Sequence, residues 1–243
     1  MLGFYQMAYR ISNMPATEIS HVISQVTFPA YSQLQHDISS LKGAYLKVLQ
    51  VTAFLSFPIA GSIFILAPDF TTIFLGQKWM PMVPAMKVLC IFGIAATMNG
   101  TMASILRGIG KPSIVTFGSG FQLVILCAII YPLTVRWGIL GTSLSVIIPS
   151  ILVMLYLYRM LMNIFNCKLV YFLRALLLPI ICSIIMLLGM FLTKALFDQL
   201  LFSFLLSLVF GVIIYLTSMY WMDKFFNYKL KSNLIQLVRQ VPE

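Results

Sequence analysis

The chain has 243 residues, of which 60% are hydrophobic and only 9% charged, and its mean hydropathy is +0.98. That composition excludes a soluble domain and indicates an integral membrane protein. The net charge of +10 would suggest a nucleic-acid partner in a soluble protein, but here the cations sit mostly in short connections between apolar runs, where they act as topology signals.

A hydrocarbon core about 30 Å thick takes roughly 20 helical residues to cross. Seven segments meet that length, at residues 4–34, 44–66, 83–106, 113–135, 139–161, 172–193 and 201–222. They are expected to be helices, because an open sheet would leave backbone groups unpaired in lipid. The fold expected is an all-α, polytopic membrane helical bundle.

The first segment differs from the others. At about 100° per residue, Arg10, Thr17, His21, Ser24 and Phe28 fall in one narrow wedge, flanked by Asn13 on one side and Glu18 and Gln25 on the other. Ala8, Ile11, Pro15, Ile19, Val22 and Val26 face away. A charge at the bilayer centre costs about 3 kcal/mol even on the lenient insertion scale, and Glu18 and His21 lie near mid-segment. The stripe therefore reads as the wall of a hydrated cavity that takes a polar or anionic solute. Arg10 would supply a fixed positive charge, and Gln25, Asn13 and Thr17 neutral hydrogen bonds. A blander account lets Arg10 snorkel to water and lets Glu18 and His21, one turn apart, satisfy each other.

The connections that follow carry expected punctuation at Ala67-Pro68-Asp69, at Gly108-Ile109-Gly110-Lys111-Pro112, at Arg136-Trp137-Gly138 and from Asn163 to Lys168. Pro15, Pro29, Pro58 and Pro179 fall inside segments, where each removes a backbone hydrogen bond and permits a kink. Lys87, Asn99, Thr101 and Ser104 decorate the third segment and Gln122 the fourth, and about half of them are expected to be interhelical hydrogen-bonding groups. Trp79, Trp137 and Trp221 fall where interfacial belts are expected.

Counting cations by alternate sides puts eleven on the side of the odd-numbered loops and the tail, against four on the other, or five with Arg10. The richer side is expected to be cytoplasmic, so the C-terminus is inside and this chain's N-terminus outside. Residues 223–243 form a basic tail with an amphipathic pattern suited to the cytoplasmic lipid surface. An odd number of spans starting outside, with no cleavable signal, leads to the expectation that preceding helices are missing.

Catalytic signatures are missing from the sequence. It contains no GxSxG elbow, HExxH, P-loop or dinucleotide fingerprint. Cys90, Cys127, Cys167 and Cys182 are scattered without pairing or ligand spacing, and the two histidines, His21 and His36, have few acidic partners, so neither a metal nor a cofactor is expected.

The motifs carry a family resemblance. The run Leu2-Gly3-Phe4-Tyr5-Gln6-Met7-Ala8-Tyr9-Arg10, then Asn13-Met14-Pro15, then Val26-Thr27-Phe28-Pro29-Ala30-Tyr31-Ser32, is followed by Phe57-Pro58, Ala67-Pro68, Phe74-Leu75-Gly76-Gln77-Lys78-Trp79 and Leu106-Arg107-Gly108-Ile109-Gly110-Lys111-Pro112. Together they resemble the polysaccharide transporters of the multidrug/oligosaccharidyl-lipid/polysaccharide exporter superfamily, in particular colanic-acid-type and O-antigen exporters. The ordered matches cover about residues 1–115; beyond them the likeness is one of hydropathy and span number.

The resemblance implies a flippase of the bacterial inner membrane that moves an undecaprenyl-pyrophosphate-linked oligosaccharide to the outer leaflet by alternating access between two lobes. Arg10 matches a motif position and would face the pyrophosphate or acidic sugar; Glu18 and His21 match none. The resemblance also implies that the seven spans are the last of fourteen. Residues 1–165 would then be most of the C-terminal lobe without its first helix, and residues 166–222 two additional helices. Such a half has no opposing lobe to rock against and is not expected to transport alone.

Two other functions compete. A drug or cation antiporter of the same superfamily would use Glu18 for ion coupling. A membrane-embedded glycan polymerase or acyltransferase would need a large outer loop with catalytic groups, but the longest outer connection, residues 67–82, has only Asp69 and Lys78. A remnant of a disrupted gene would show the same residues without function.

Overall fold

The computed structural model describes residues 2–167, 169–197 and 199–226. Six helices follow in order among them: α1 (Leu2–Gln33), α2 (Ile38–Phe70), α3 (Val83–Gly108), α4 (Pro112–Phe165), α5 (Leu169–Leu196) and α6 (Leu200–Phe226). Asp37 starts α2, accepting hydrogen bonds from the Ser39 and Ser40 amides at 3.0 and 3.2 Å and from their hydroxyls at 2.8 and 2.6 Å.

The expected break at Ala67-Pro68-Asp69 is not there: α2 runs through it to Phe70 and into a π-turn, Thr71–Leu75. Pro68 removes only one helical donor, the one for the Phe64 carbonyl, and the Thr71 amide still reaches the Ala67 and Pro68 carbonyls. The hydroxyls of Thr71 and Thr72 add bonds to the same carbonyls at 2.8 and 3.0 Å, and the Gly76 amide reaches the Thr71 carbonyl at 2.8 Å. The chain leaves the helix at Gly76, with φ +86°, and passes through a short 3-10 turn, Gln77–Met82, into α3.

The two segments expected at 113–135 and 139–161 are two helical arms of α4, which turns back at Gly138, whose φ of 57° and ψ of −130° are not helical. The arms return alongside each other. Phe117 meets Tyr156 with ring centroids 5.7 Å apart, and the Thr134 and Thr142 hydroxyls lie 3.0 Å apart. At the crossing, a Cβ on Gly141 would sit 1.9 Å from the Leu133 carbonyl oxygen. Only glycine allows so tight a fold. Counting its arms separately gives seven helical segments among the described residues, at the places the hydropathy pattern marks.

Helix α3 lies at the centre. α1 runs parallel to it, from Phe4 stacked edge-on against Trp79 at 5.4 Å to Tyr31 beside Gly108. This seats Trp79 against α1 rather than in an open interfacial belt; Trp137 and Trp221 are exposed. α2 runs antiparallel to α3, tied by Thr52 and Thr101 hydroxyls 3.3 Å apart, and the second arm of α4 is held by the Asn99 amide, which donates to the Ser150 carbonyl and hydroxyl at 3.1 and 3.2 Å. The α5–α6 pair docks mainly on α2.

Two apolar clusters fill the ends of the α1–α4 body, around Tyr45, Ile105 and Leu161 and around Ala8, Met86 and Leu89. A third, around Cys182, Met186 and Met190, joins α2 to α5 and α6. Outward faces are apolar, with Phe117, Phe121, Leu192, Leu205 and Val209 exposed, as a lipid solvent permits. Among the described residues, five helices are long and apolar enough to cross a membrane, and α4, with 54 residues in its two arms, is long enough to do so twice; α1 is long enough but more polar. Most of the amphipathic tail, residues 227–243, lies outside the described residues.

Candidate functional site: a polar face on the first helix

Helix α1 buries one face and leaves the stripe open. Its buried positions are Ala8, Ser12, Ala16, Thr27 and Tyr31; Ala8, Ser12 and Ala16 continue with Ser20 as a ridge of small residues spaced by four, and this side of α1 lies along Gly93, Gly100 and Gly108 of α3. A Cβ on Gly108 would sit 2.7 Å from that of Tyr31, and one on Gly100 would be 3.0 Å from the Ser20 hydroxyl oxygen. Small residues on both partners bring the backbones together, as expected for helices that associate in lipid by packing. Hydroxyls finish the seam: Ser12 donates to the Met86 carbonyl at 3.0 Å, Thr27 and Ser104 lie 3.2 Å apart, and Ser32 donates to the Gly108 carbonyl at 3.2 Å.

That docking turns the opposite side outward. Arg10, Thr17, Glu18, His21 and Gln25 are all exposed, together with Gln6 and Met14. Asn13 is half-buried at the margin, and its carbonyl oxygen is enclosed without a hydrogen-bond partner. Thr17 donates to the Met14 carbonyl at 2.8 Å, and the Gln25 amide nitrogen lies 3.5 Å from His21 Nε2, at the outer limit of a hydrogen bond. The closest polar partner of His21 is thus Gln25 rather than Glu18. The face carries one fixed cation, one carboxylate, one imidazole and several neutral groups, all able to hydrogen-bond a solute, Arg10 as a donor only. Of the apolar set expected to face away, Val22 is also exposed and Pro15 lines a crevice toward α2.

The remaining polar residues of the bundle act as struts. Asn99, Thr101 and Ser104 bond across helices, and the Lys87 ammonium lies 5.5 Å from the Phe64 ring centroid. Residues 109–111 make a tight turn with Gly110 at φ +73°. All four cysteines are free, and only Cys127 is exposed. Sequence reasoning missed two features. One is the small-residue ridge, readable as Ala8, Ser12, Ala16 and Ser20 at intervals of four. The other is the ion pair of Asp69 with Lys194, which lie 125 residues apart in sequence and carry no local signal.

Comparison with known proteins agrees with the resemblance carried by the motifs. A family described as polysaccharide biosynthesis protein matches residues 1–84. A membrane protein in the cps region of Klebsiella pneumoniae is 26% identical over 222 residues, covering 90% of this chain and 46% of the relative. The lipopolysaccharide biosynthesis protein WzxC of Escherichia coli (strain K12) is 27% identical over 104 residues, covering 43% and 21%, and the teichuronic acid biosynthesis protein TuaB of Bacillus subtilis (strain 168) is 29% identical over 110 residues, covering 45% and 23%. Among solved structures, the lipid II flippase MurJ in an inward closed conformation superposes with a TM-score of 0.78 at 17% identity, over 92% of this chain and 47% of that one. The last comparison establishes the fold alone: a helical membrane bundle shared with about half of MurJ. The chain spans less than half the length of each of these proteins.

Proposed function

We propose that this chain is the C-terminal portion of a flippase that carries an undecaprenyl-pyrophosphate-linked oligosaccharide across the bacterial cytoplasmic membrane for surface polysaccharide synthesis, of the O-antigen or exopolysaccharide kind. The observation that carries the proposal is the open polar face of α1. A membrane helix docked by a small-residue ridge on one side exposes Arg10, Thr17, Glu18, His21 and Gln25 on the other. Lipid is a costly neighbour for that set, whereas a water-filled cavity shared with a second lobe satisfies it.

In this account Arg10 pairs with the pyrophosphate or with an acidic sugar through charge-assisted hydrogen bonds. Gln25, Asn13 and Thr17 bind glycan hydroxyls, and Glu18 and His21 set the charge of the mid-membrane wall. Transport needs an N-terminal half, present in the same polypeptide or supplied in trans, against which the α1–α4 body rocks. Residues 1–165 form the moving lobe and residues 166–222 two helices behind it, in line with the docking of α5 and α6 mainly on α2. The chain's N-terminus is outside and its C-terminal tail cytoplasmic. Asp69 and Lys194, assigned to the same side by the cation count, meet at one end of the bundle, which supports that alternation.

Complementation tests this proposal. In a strain lacking its own polysaccharide flippase, this chain alone leaves surface polysaccharide absent, and co-expression with the matching N-terminal half restores it. Rescue by the chain alone would overturn the proposal, as would failure of the complete pair.

A further inference from the structure

Where α1, α2 and α3 meet, Ser12, Pro15, Ala16, Ile19, Ser56 and Ala60 enclose most of a cavity of about 10 Å³, the space swept by the centre of one water molecule. Its outer rim is isoleucine, and polar groups lie on the inside. Ser56 is 95% buried, with 5% of its surface exposed, yet its hydroxyl has no hydrogen-bond partner. The Ser12 hydroxyl already donates to the Met86 carbonyl at 3.0 Å and keeps its lone pairs free to accept. Pro15 stands in the cavity wall inside α1 and has no N–H, so the Ile11 carbonyl one turn earlier loses its helical donor.

We propose that this cavity binds one ordered water molecule that bridges α1 to α2. The hydrogen bonds balance. The Ser56 hydroxyl donates to the water, and the water donates to the Ser12 hydroxyl oxygen, two bonds, within the range that holds a buried water. The space fits a single water and no larger solute. Its position gives it a mechanical role. Pro15 lies between the part of α1 that carries Arg10 and the part that carries Glu18 and His21, and a water held by Ser56 ties α1 to α2 at that level.

Thermal unfolding of the purified chain in detergent reads the site by sign. If Ser56 binds the water, Ser56→Ala lowers Tm by about 2–4 °C. If the cavity is dry, the same substitution removes an orphaned hydroxyl and leaves Tm unchanged or raises it, which overturns the proposal. A second variant isolates the bridge. Ser12→Ala removes the water's partner on α1, so in that background Ser56→Ala has less than half its effect; an undiminished effect overturns the bridge to α1. Neither readout depends on transport, so each stands or falls apart from the flippase proposal.

Discussion

The ammonium nitrogen of Lys194, in the last turn of α5, lies 2.6 Å from the Asp69 carboxylate near the end of α2 and also donates to the Ile65 carbonyl at 3.4 Å. Both side chains are largely buried, at 24% and 10% exposure. With Tyr215 donating from α6 to the Phe54 carbonyl at 2.9 Å, the pair fixes the α5–α6 hairpin to the lobe. Lys194→Met strands a buried carboxylate and is expected to cost about 3 kcal/mol. Asp69→Asn/Lys194→Gln should cost less than either single change removing one charge. A double-mutant cycle on thermal stability checks this.

The glycines at close contacts give graded expectations. Gly141→Ala places a methyl group inside the Leu133 carbonyl and should prevent the α4 fold from closing. Gly108→Ala meets the Tyr31 Cβ at 2.7 Å and should cost about 1–3 kcal/mol by pushing α1 off α3. Gly120→Ala meets nothing within 4 Å and should stabilise by a few tenths to about 1 kcal/mol through helix propensity. Unfolding of the three variants side by side tests the order.

Much of this architecture is legible without coordinates. Apolar length located all seven segments, and the polar groups Asn99, Thr101 and Ser104 were readable as interhelical partners because lipid gives them no other use. The break expected at Ala67-Pro68-Asp69 is not there because Pro68 removes only the donor for the Phe64 carbonyl, while beyond it the Thr71 amide still reaches the Ala67 and Pro68 carbonyls and the Thr71 and Thr72 hydroxyls add bonds to them. The open face of α1 followed from helical period. What turns it outward is the ridge from Ala8 to Ser20 against Gly93, Gly100 and Gly108; its spacing of four is visible in the sequence, but which helix it meets is a relationship between two helices.

Asp37 offers a pH prediction outside the spans. The Ser40 and Ser39 hydroxyls and amides that donate to its carboxylate hold it below the ordinary 3.8, at about 2. Because the folded value is the lower one, the capping contribution is complete above pH 3.8 and is lost as pH falls through about 2. The carboxyl carbon shift should titrate with a midpoint near 2, and Ser39→Ala/Ser40→Ala should return it toward 3.8.

The central claim is that the outward face of α1 borders water rather than lipid. In native membranes, with the four native cysteines replaced and the N-terminal half present, single cysteines at positions 10, 17, 21 and 25 are to be probed with a polar, membrane-impermeant thiol reagent. Cysteines replacing Leu205 and Val209 on the apolar face of α6 serve as lipid-facing references. The account predicts labelling at the α1 positions, including mid-membrane residues 17 and 21, and none on α6; α1 cysteines as unreactive as those of α6 would contradict it.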